Sequence, residues 1–115
     1  MDNLSDRDYK VIEKLYEHTV AVLEVSKSIH SAEEFRSRTL EFKATLFDLL
    51  QIGELAGNSL SREVAEQLSE IPWKSIYALR NRIVQGYAYV DYSIIWETIT
   101  EDIPVLAEKL RAILQ

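Results

Sequence analysis

The segment from Arg80 to Tyr87 combines side chains that are suited to handling a phosphate group. It places a guanidinium, a carboxamide and a phenol at the end of a predicted apolar helix, where the packing of a core requires none of them. A guanidinium binds phosphate oxygens through paired N–H donors, and a neighbouring carboxamide such as that of Asn81 can orient a further polar group. This segment is therefore the first candidate for a functional site.

Basic side chains are concentrated in this part of the chain, although the chain as a whole is acidic. The net charge of the 115 residues is −6, which argues against a general nucleic-acid coat protein. Residues 74–90 contain three basic side chains, Lys74, Arg80 and Arg82, and no acidic one. Lys74 and Arg82 are thus candidate nucleic-acid contacts, and a chance grouping of three cations is the alternative.

Length and composition predict one domain over residues 1–115, since domains usually contain roughly 50 to 250 residues. The absence of cysteine excludes disulfides, thiolate zinc sites and thiol catalysis, and it is typical of a cytoplasmic protein. His18 and His30 do not have the spacing of metal ligands, so we expect no metal and no other cofactor. No run approaches about 18 apolar residues, so we expect no contact with a membrane.

Hydrophobic periodicity predicts helices along most of the chain. Apolar residues repeat at intervals of three and four over residues 11–29, and a second long helix is predicted over residues 38–58. That second helix carries two apolar stripes, which predicts contacts on two sides and a central position. The first stripe consists of Leu40, Ala44, Phe47, Gln51 and Glu54, and the second of Phe42, Leu46, Leu49, Gly53 and Ala56.

Proline, glycine and capping residues mark the ends of the remaining helices. Pro72 fits the first turn of a third long helix, and Gly86 is expected to end that helix in a left-handed conformation. Asp91 is a suitable N-cap for the last helix, which Pro104 should break or kink near residues 101–102, where a second segment would be capped again. No segment alternates as a strand does. The prediction is an all-α, up-and-down bundle of four to five helices.

Six short motifs follow one another in the order found in HepT-like proteins of the HEPN superfamily. They are Ser5-Asp-Arg-Asp-Tyr9, Ile52-Gly-Glu-Leu-Ala56, Ile71-Pro-Trp73, the Arg80–Tyr87 octapeptide, Val90-Asp-Tyr92, and Trp96 with Thr100-Glu-Asp-Ile-Pro104. One motif alone would be a weak match, but the ordered set at matching spacing is specific and covers nearly the whole chain. The chain therefore resembles the HepT-like toxins of the HEPN/minimal nucleotidyltransferase toxin–antitoxin systems.

The resemblance implies a two-fold α-helical homodimer whose composite cleft cuts RNA as a metal-independent endoribonuclease. It also implies a cognate minimal nucleotidyltransferase antitoxin as partner. By position, Arg80 would stabilise the charge that develops on phosphorus during attack by the ribose 2′-hydroxyl, and Asn81 would orient the catalytic imidazole or bind phosphate. Residue 85 would move the proton, and Tyr87 matches the tyrosine that such antitoxins modify with AMP.

The spacing of Arg80 and Gln85 also favours two copies of the third helix. With about 100° per residue, the two side chains lie about 140° apart around one helix axis, so a single helix places them poorly. Two such helices facing each other across a two-fold axis would bring Arg80 and residue 85 of both copies into one cleft.

Gln85 departs from the family pattern, which has a histidine at this position. A carboxamide forms hydrogen bonds but does not titrate near neutral pH, and general acid–base catalysis typically contributes about 10²–10⁴ in rate. We therefore expect RNA binding to persist and cleavage to be weak in this chain. The glutamine is either natural, in a degenerate toxin, or a replacement of the histidine that removes toxicity.

Other interpretations stay open from the sequence. The chain could be a non-catalytic HEPN module that binds a nucleotidyltransferase or nucleic acid, or it could be a plain dimeric scaffold. Arg80 could pair with an acid such as Glu54 inside the bundle instead of binding phosphate. Tyr87 and the tyrosines near it could be interface aromatics with hydrated hydroxyl groups.

Overall fold

Seven α-helices and two π-helical turns make up the described part of the computed structural model, which covers residues 4–86 and 90–115. The helices are α1 Asp6–Lys27, α2 Ala32–Ser37, α3 Thr39–Glu54, α4 Arg62–Gln67, α5 Trp73–Gly86, α6 Tyr92–Glu97 and α7 Ile103–Leu114. The π-helical turns, Leu55–Ser59 and Thr98–Asp102, continue α3 and join α6 to α7. These ranges contain no β-strand, so the predicted all-α class is confirmed. Within them, no helix combines the length and the apolar character that crossing a membrane requires.

Serine side chains cap the first turns of α1 and α2. The Ser5 hydroxyl accepts a hydrogen bond of 3.1 Å from the Asp8 N–H at the start of α1. At α2, Ser31 accepts from the Glu34 N–H at 3.1 Å, and the Glu34 carboxylate accepts from the His30 N–H at 3.1 Å. These bonds satisfy backbone donors that the first turn of a helix leaves without partners.

The core lies along α1, which packs against both α3 and α7. Helix α3 packs against α1 on one side and α5 on the other, while α1 also packs along α7. Burial of each large apolar side chain contributes about 1.5–3 kcal/mol. The fully buried ones include Ile12, Leu15, Val22, Phe35, Ile52, Ile95, Ile99 and Leu110.

One of the two predicted stripes on α3 is largely uncovered. In the second stripe, Leu46 and Leu49 are buried as expected. In the first stripe, Leu40 is 80% exposed and Phe47 is 57% exposed. The prediction of contacts on both sides is therefore wrong for this half of α3, because α5 meets α3 further along, at Gly53.

Two helix ends also differ from the prediction. Asp102 keeps helical angles (φ −85°, ψ −42°) without a side-chain cap, so the helix continues through the turn Thr98–Asp102 into α7. Pro104 lacks an N–H and crowds the preceding turn, and a π-helical turn accommodates both effects without a break.

Gly86 ends α5, but no described glycine has a positive φ, so the left-handed ending is wrong. Asp91 caps α6 as predicted, with its carboxylate accepting a backbone N–H at 2.8 Å.

A buried carboxylate links α1 to the residue that caps α4. Asp8 is 6% exposed, and its Oδ1 accepts a hydrogen bond of 3.0 Å from the Ser61 backbone N–H, while Oδ2 accepts one of 3.1 Å from the Ser5 hydroxyl. The bond from the Ser61 N–H holds the pKa of Asp8 below its usual range, because it favours the charged carboxylate. One side chain thus joins positions 53 residues apart.

Candidate functional site

Helix α5 carries the predicted site residues and approaches α3 where α3 has a glycine. A Cβ atom at Gly53 would overlap the Cβ of Arg80, and it would lie 2.7 Å from the Arg80 Cγ and 3.3 Å from the carbonyl oxygen of Ile76. Because such distances are shorter than ordinary van der Waals contacts, this approach requires the absence of a side chain on α3. The aliphatic stem of Arg80 consequently packs directly on the α3 backbone.

A second glycine, in the π-helical turn after α3, makes room for an aromatic ring. A Cβ atom at Gly57 would overlap the Cδ1 and Cε1 atoms of Tyr77. The Cζ of Arg80 lies 5.6 Å from the centroid of the same ring, which is within range of a cation–π interaction. The two glycines therefore place Arg80 and Tyr77 side by side on one surface of α3.

The guanidinium of Arg80 is held by a carboxylate and a carboxamide. Its Nη2 lies 2.8 Å from Glu54 Oε2, and its Nη1 donates a hydrogen bond of 2.8 Å to Asn81 Oδ1. The ion pair between Arg80 and Glu54 is thus confirmed, but the interpretation that it takes the place of phosphate binding stays a hypothesis. The pair is not sealed from solvent, because the Arg80 side chain is 25% exposed and that of Glu54 is 44% exposed. These contacts engage at most two of the five N–H donors of a guanidinium, which leaves others for a phosphate.

Glu54 is itself held from its other side. The Asn58 side-chain amide donates a hydrogen bond of 2.8 Å to Glu54 Oε1. Asn58 belongs to the π-helical turn Leu55–Ser59, so the carboxylate is oriented by its own helix. A continuous polar chain therefore runs from Asn58 through Glu54 and Arg80 to Asn81.

Gln85 and Arg82 line a cavity of about 370 Å³ between the end of α5 and the start of α6, together with Asp91 and Ile94. Arg80 is not among the described residues that line this cavity. Arg82 also borders a larger cavity of about 550 Å³ between α5 and α7. Gln85 follows Asn81 by four residues and lies on the same helix face as that end of the polar chain, whereas an angle of about 140° around the helix axis separates it from Arg80.

The remaining predicted site residues are spread along α5 and beyond. Lys74 is exposed in the first turn of α5, well separated along the helix from Arg80. Tyr87, the predicted modification site, lies outside the described residues. Among the predicted site residues that the structure describes, Arg80 and Asn81 are hydrogen-bonded to each other.

His18 forms part of the scaffold and does not belong to the candidate site. Its Nδ1 is 2.9 Å from Asp48 Oδ1, which links α1 to α3, and its ring meets that of Phe47 edge to face at 6.3 Å between centroids. Across residues 4–86 and 90–115, no group of three or more His, Cys, Asp or Glu side chains could hold a metal ion.

Tyr77 and Asn58 contribute to the site but were not singled out by the sequence. A signal for both exists in the chain. Gly53 and Gly57 are four residues apart, which predicts a close helix approach, and Glu54 and Asn58 are four apart on one helix face. Which side chains of α5 contact these positions, however, depends on the register between α3 and α5.

The sequence matches a known protein family over most of its length. The family model described as ribonuclease HepT-like aligns with residues 7–113. The chain belongs to the HepT-like ribonuclease family. The predicted resemblance is thereby confirmed, and the polar chain around Arg80 lies within the HepT-like region.

Relatives with provisional ribonuclease names match over most of their length. A provisionally named RNase of Caldanaerobacter subterraneus subsp. tengcongensis is 36% identical over 104 residues, 90% of this chain and 91% of that protein. A provisionally named ribonuclease HepT of Thermococcus cleftensis is 31% identical over 101 residues, 76% of this chain and 90% of that protein. A provisionally named RNase of Methanocaldococcus jannaschii is 27% identical over 111 residues, 96% of this chain and all of that protein. No solved structure gives a significant match.

Proposed function

We propose that this HepT-like chain is the toxin component of a toxin–antitoxin system, an endoribonuclease that works without a metal ion and is impaired here by Gln85. The observation that carries the proposal is the Arg80–Asn81 pair, which is hydrogen-bonded at 2.8 Å and remains partly exposed on α5. Residues 1–115 would form one HEPN domain that acts in the cytoplasm.

The proposed chemistry is transfer of a phosphodiester to the neighbouring ribose oxygen. The 2′-hydroxyl loses its proton, to an imidazole at position 85 in the family pattern and to solvent in this chain, and its oxygen forms a bond to phosphorus. The bond from phosphorus to the 5′-oxygen breaks, and the 5′-oxygen takes a proton from solvent as it leaves. Arg80 would stabilise the negative charge that builds on the phosphoryl oxygens, and Asn81 would hold the phosphate or the group that moves the proton. Gln85 cannot take the proton of the 2′-hydroxyl, because a carboxamide does not titrate near neutral pH.

We propose further that two copies complete the cleft. On one helix Arg80 and Gln85 lie on different sides, so a second α5 is needed to supply residue 85 to each guanidinium. Exposed apolar side chains on the two helices that carry the site support this arrangement. They are Leu40 and Phe47 on α3 and Val84 on α5. Lys74 and Arg82 would extend the RNA path with positive charge.

Control by a minimal nucleotidyltransferase is proposed from the family resemblance. Transfer of AMP from ATP to the Tyr87 hydroxyl, with release of pyrophosphate, would add bulk and negative charge next to the cleft and so exclude RNA. Co-expression with a nucleotidyltransferase encoded beside this gene, followed by mass spectrometry of the chain, tests the idea. The expected result is one AMP on Tyr87, and its absence from an otherwise neutralised toxin would contradict this part of the proposal.

Restoring the histidine tests the nuclease function directly. We expect Gln85→His to give cleavage of single-stranded RNA that is about 10²–10⁴ faster than that of the parent chain, because general acid–base catalysis is restored. Gln67→His is the matched control, since it places the same imidazole on an exposed position of α4 and should leave cleavage unchanged. A well-folded Gln85→His dimer without cleavage would contradict the proposal.

The alternative is a non-catalytic HEPN module that binds a nucleotidyltransferase or nucleic acid. Gln85 itself favours it, because the exposed carboxamide provides no group that titrates near neutral pH. In that case Gln85→His would still bind its partner and would not cut RNA. The cleavage experiment therefore separates the two candidates.

A further inference from the structure

Arg80 is held at both its stem and its head before any ligand binds. The stem packs against Gly53, and the guanidinium lies between Glu54 and Asn81, at 2.8 Å from an oxygen of each. The Tyr77 ring also contacts the guanidinium, with its centroid 5.6 Å from the Cζ of Arg80. Three neighbours thus surround the charge, and of these only Glu54 carries a negative charge.

We propose that Glu54 is the positioning residue for Arg80 and keeps the guanidinium in one orientation next to Asn81. The role rests on the proposed nuclease function of Arg80. Asn58 completes the arrangement, because its amide donates a hydrogen bond of 2.8 Å to the Glu54 oxygen that does not face Arg80. Glu54 is thus fixed from one side and fixes Arg80 from the other.

This arrangement suits an arginine that must meet a phosphate in one orientation. A free arginine side chain has large rotamer freedom, and the part already lost in the folded protein need not be lost again when RNA binds. The carboxylate also carries a negative charge that repels phosphate. Glu54 should therefore improve the orientation of Arg80 in the reacting complex and weaken the binding of RNA slightly. Orientation affects kcat, whereas repulsion affects KM, so the two parameters should respond differently to loss of Glu54.

A spectroscopic measurement tests the positioning without any RNA cleavage. Rotation about the Cζ–Nη bonds of Arg80 can be followed by NMR of the full-length protein with ¹⁵N-labelled arginine. We expect slow rotation in the parent chain, fast rotation in Glu54→Ala, and an intermediate rate in Glu54→Gln, which keeps an acceptor oxygen. Glu66→Ala is the matched control, because it removes the same charge from the exposed Arg62–Glu66 ion pair, 3.3 Å long, on α4. Unchanged rotation in Glu54→Ala would overturn the proposal.

The kinetic test uses chains that also carry Gln85→His. We expect Glu54→Ala to lower kcat for single-stranded RNA on the order of tenfold or more, as a misplaced catalytic group does, while KM stays the same or falls. Glu54→Gln should recover part of kcat, and Glu66→Ala should change neither parameter. An unchanged kcat in Glu54→Ala, or an equal loss in Glu54→Gln and Glu54→Ala, would overturn the proposal.

Failure of the proposed function is distinguishable from failure of this inference. If the chain with Gln85→His alone does not cut RNA, the nuclease function fails, and the rotation of the Arg80 guanidinium still decides whether Glu54 positions it. If the chain cuts RNA and Glu54→Ala changes neither rotation nor kcat, only the role of Glu54 fails.

Discussion

Groups of different chemistry contact the aliphatic stem and the guanidinium of Arg80. The function of Arg80 should therefore depend on the shape of its side chain as well as on its charge. The stem lies on Gly53, one side of the head meets Glu54, and the other donates to Asn81. A planar guanidinium can make these contacts and still present further donors to a phosphate. An ammonium on the same stem cannot do both, because it is a compact point charge.

Arg80→Lys should therefore separate catalysis from binding. In a chain with Gln85→His, we expect the single-turnover cleavage rate to fall on the order of 10²–10³-fold, as it does when one oriented donor to a transition state is lost. Affinity for single-stranded RNA, measured by fluorescence anisotropy, should change little because the positive charge remains. Arg111→Lys, on the exposed side of α7, is the control and should alter neither quantity. Cleavage at the parental rate in Arg80→Lys would contradict the role of the guanidinium.

Asp8 predicts how stability depends on pH. The pKa of Asp8 is lowered in the folded protein, chiefly by the hydrogen bond from the Ser61 N–H. Its stabilisation is therefore present above the unfolded-state pKa of about 3.9 and is lost as the pH falls through the lower folded-state value. We expect Asp8→Asn to lower the free energy of unfolding by about 1 kcal/mol at pH 7, with a smaller difference from the parent chain below about pH 4.

Urea unfolding at neutral and acidic pH measures this effect. Asp6→Asn is the matched control, because Asp6 lies in the same first turn of α1 but is exposed. Substitution of Asp6 should lower the free energy of unfolding by less than substitution of Asp8 does at every pH. An equal loss of stability in the two variants would assign the effect to the dipole of α1 instead of the bond to Ser61.

At the scale of helices, the site depends on how closely α5 approaches α3. Gly53 meets the Cβ of Arg80 and the backbone of α5, whereas Gly57 meets the ring of Tyr77. The Cβ of Arg80 cannot move away unless α5 moves as well. The ring of Tyr77, which is partly exposed, can rotate away. The two glycines should therefore differ in what they tolerate.

Gly53→Ala should be more damaging than Gly57→Ala. Alanine at position 53 would push α5 away from α3, and we expect a loss of about 1–3 kcal/mol from overpacking, reduced by up to about 1 kcal/mol from the better helix propensity of alanine. Gly57→Ala should be nearly neutral. Urea unfolding of both variants measures the difference. A Gly53→Ala chain as stable as the parent would show that α5 can shift at little cost.

The helices and the position of Arg80 on the third long one are predictable because they depend on residues close in the chain. Periodicity, the Ser31 cap and Pro72 are enough to place them. The neighbours of Arg80 are less predictable, because the contact with Tyr77 depends on where two helices meet. The exposure of Phe47 depends likewise on how far along α3 its neighbour α5 packs. Pro104 predicts a disturbance but not its form, since a kink, a break and a π-helical turn all resolve the same clash.

At the scale of the whole molecule, an acidic body of net charge −6 surrounds a small basic region on α5. Exposed apolar side chains lie on both α3 and α5, and Val105 is an exposed apolar side chain on α7, a helix that carries none of the predicted site residues. If two copies meet through α3 and α5, we expect the exposed apolar side chains of these two helices to be covered and Val105 to stay exposed. The side on which the dimer forms can therefore be tested with single charges.

Phe47→Glu should dissociate the proposed dimer, and Val105→Glu should not. The two residues are 57% and 52% exposed, so neither change disturbs a buried contact within one chain. A glutamate at a two-fold contact would face its own copy as well as an apolar surface, which costs several kcal/mol. Analytical ultracentrifugation gives the oligomeric state. A Phe47→Glu dimer, or a Val105→Glu monomer, would contradict the proposed contact.

The packing of α1 along α7 has a consequence for how the protein is made. Of the described helices, α1 is the first to be synthesised and buries one side against α7, the last of them. While α7 is still inside the ribosome, that side of α1 has no cover, so the native bundle cannot close before α7 has emerged.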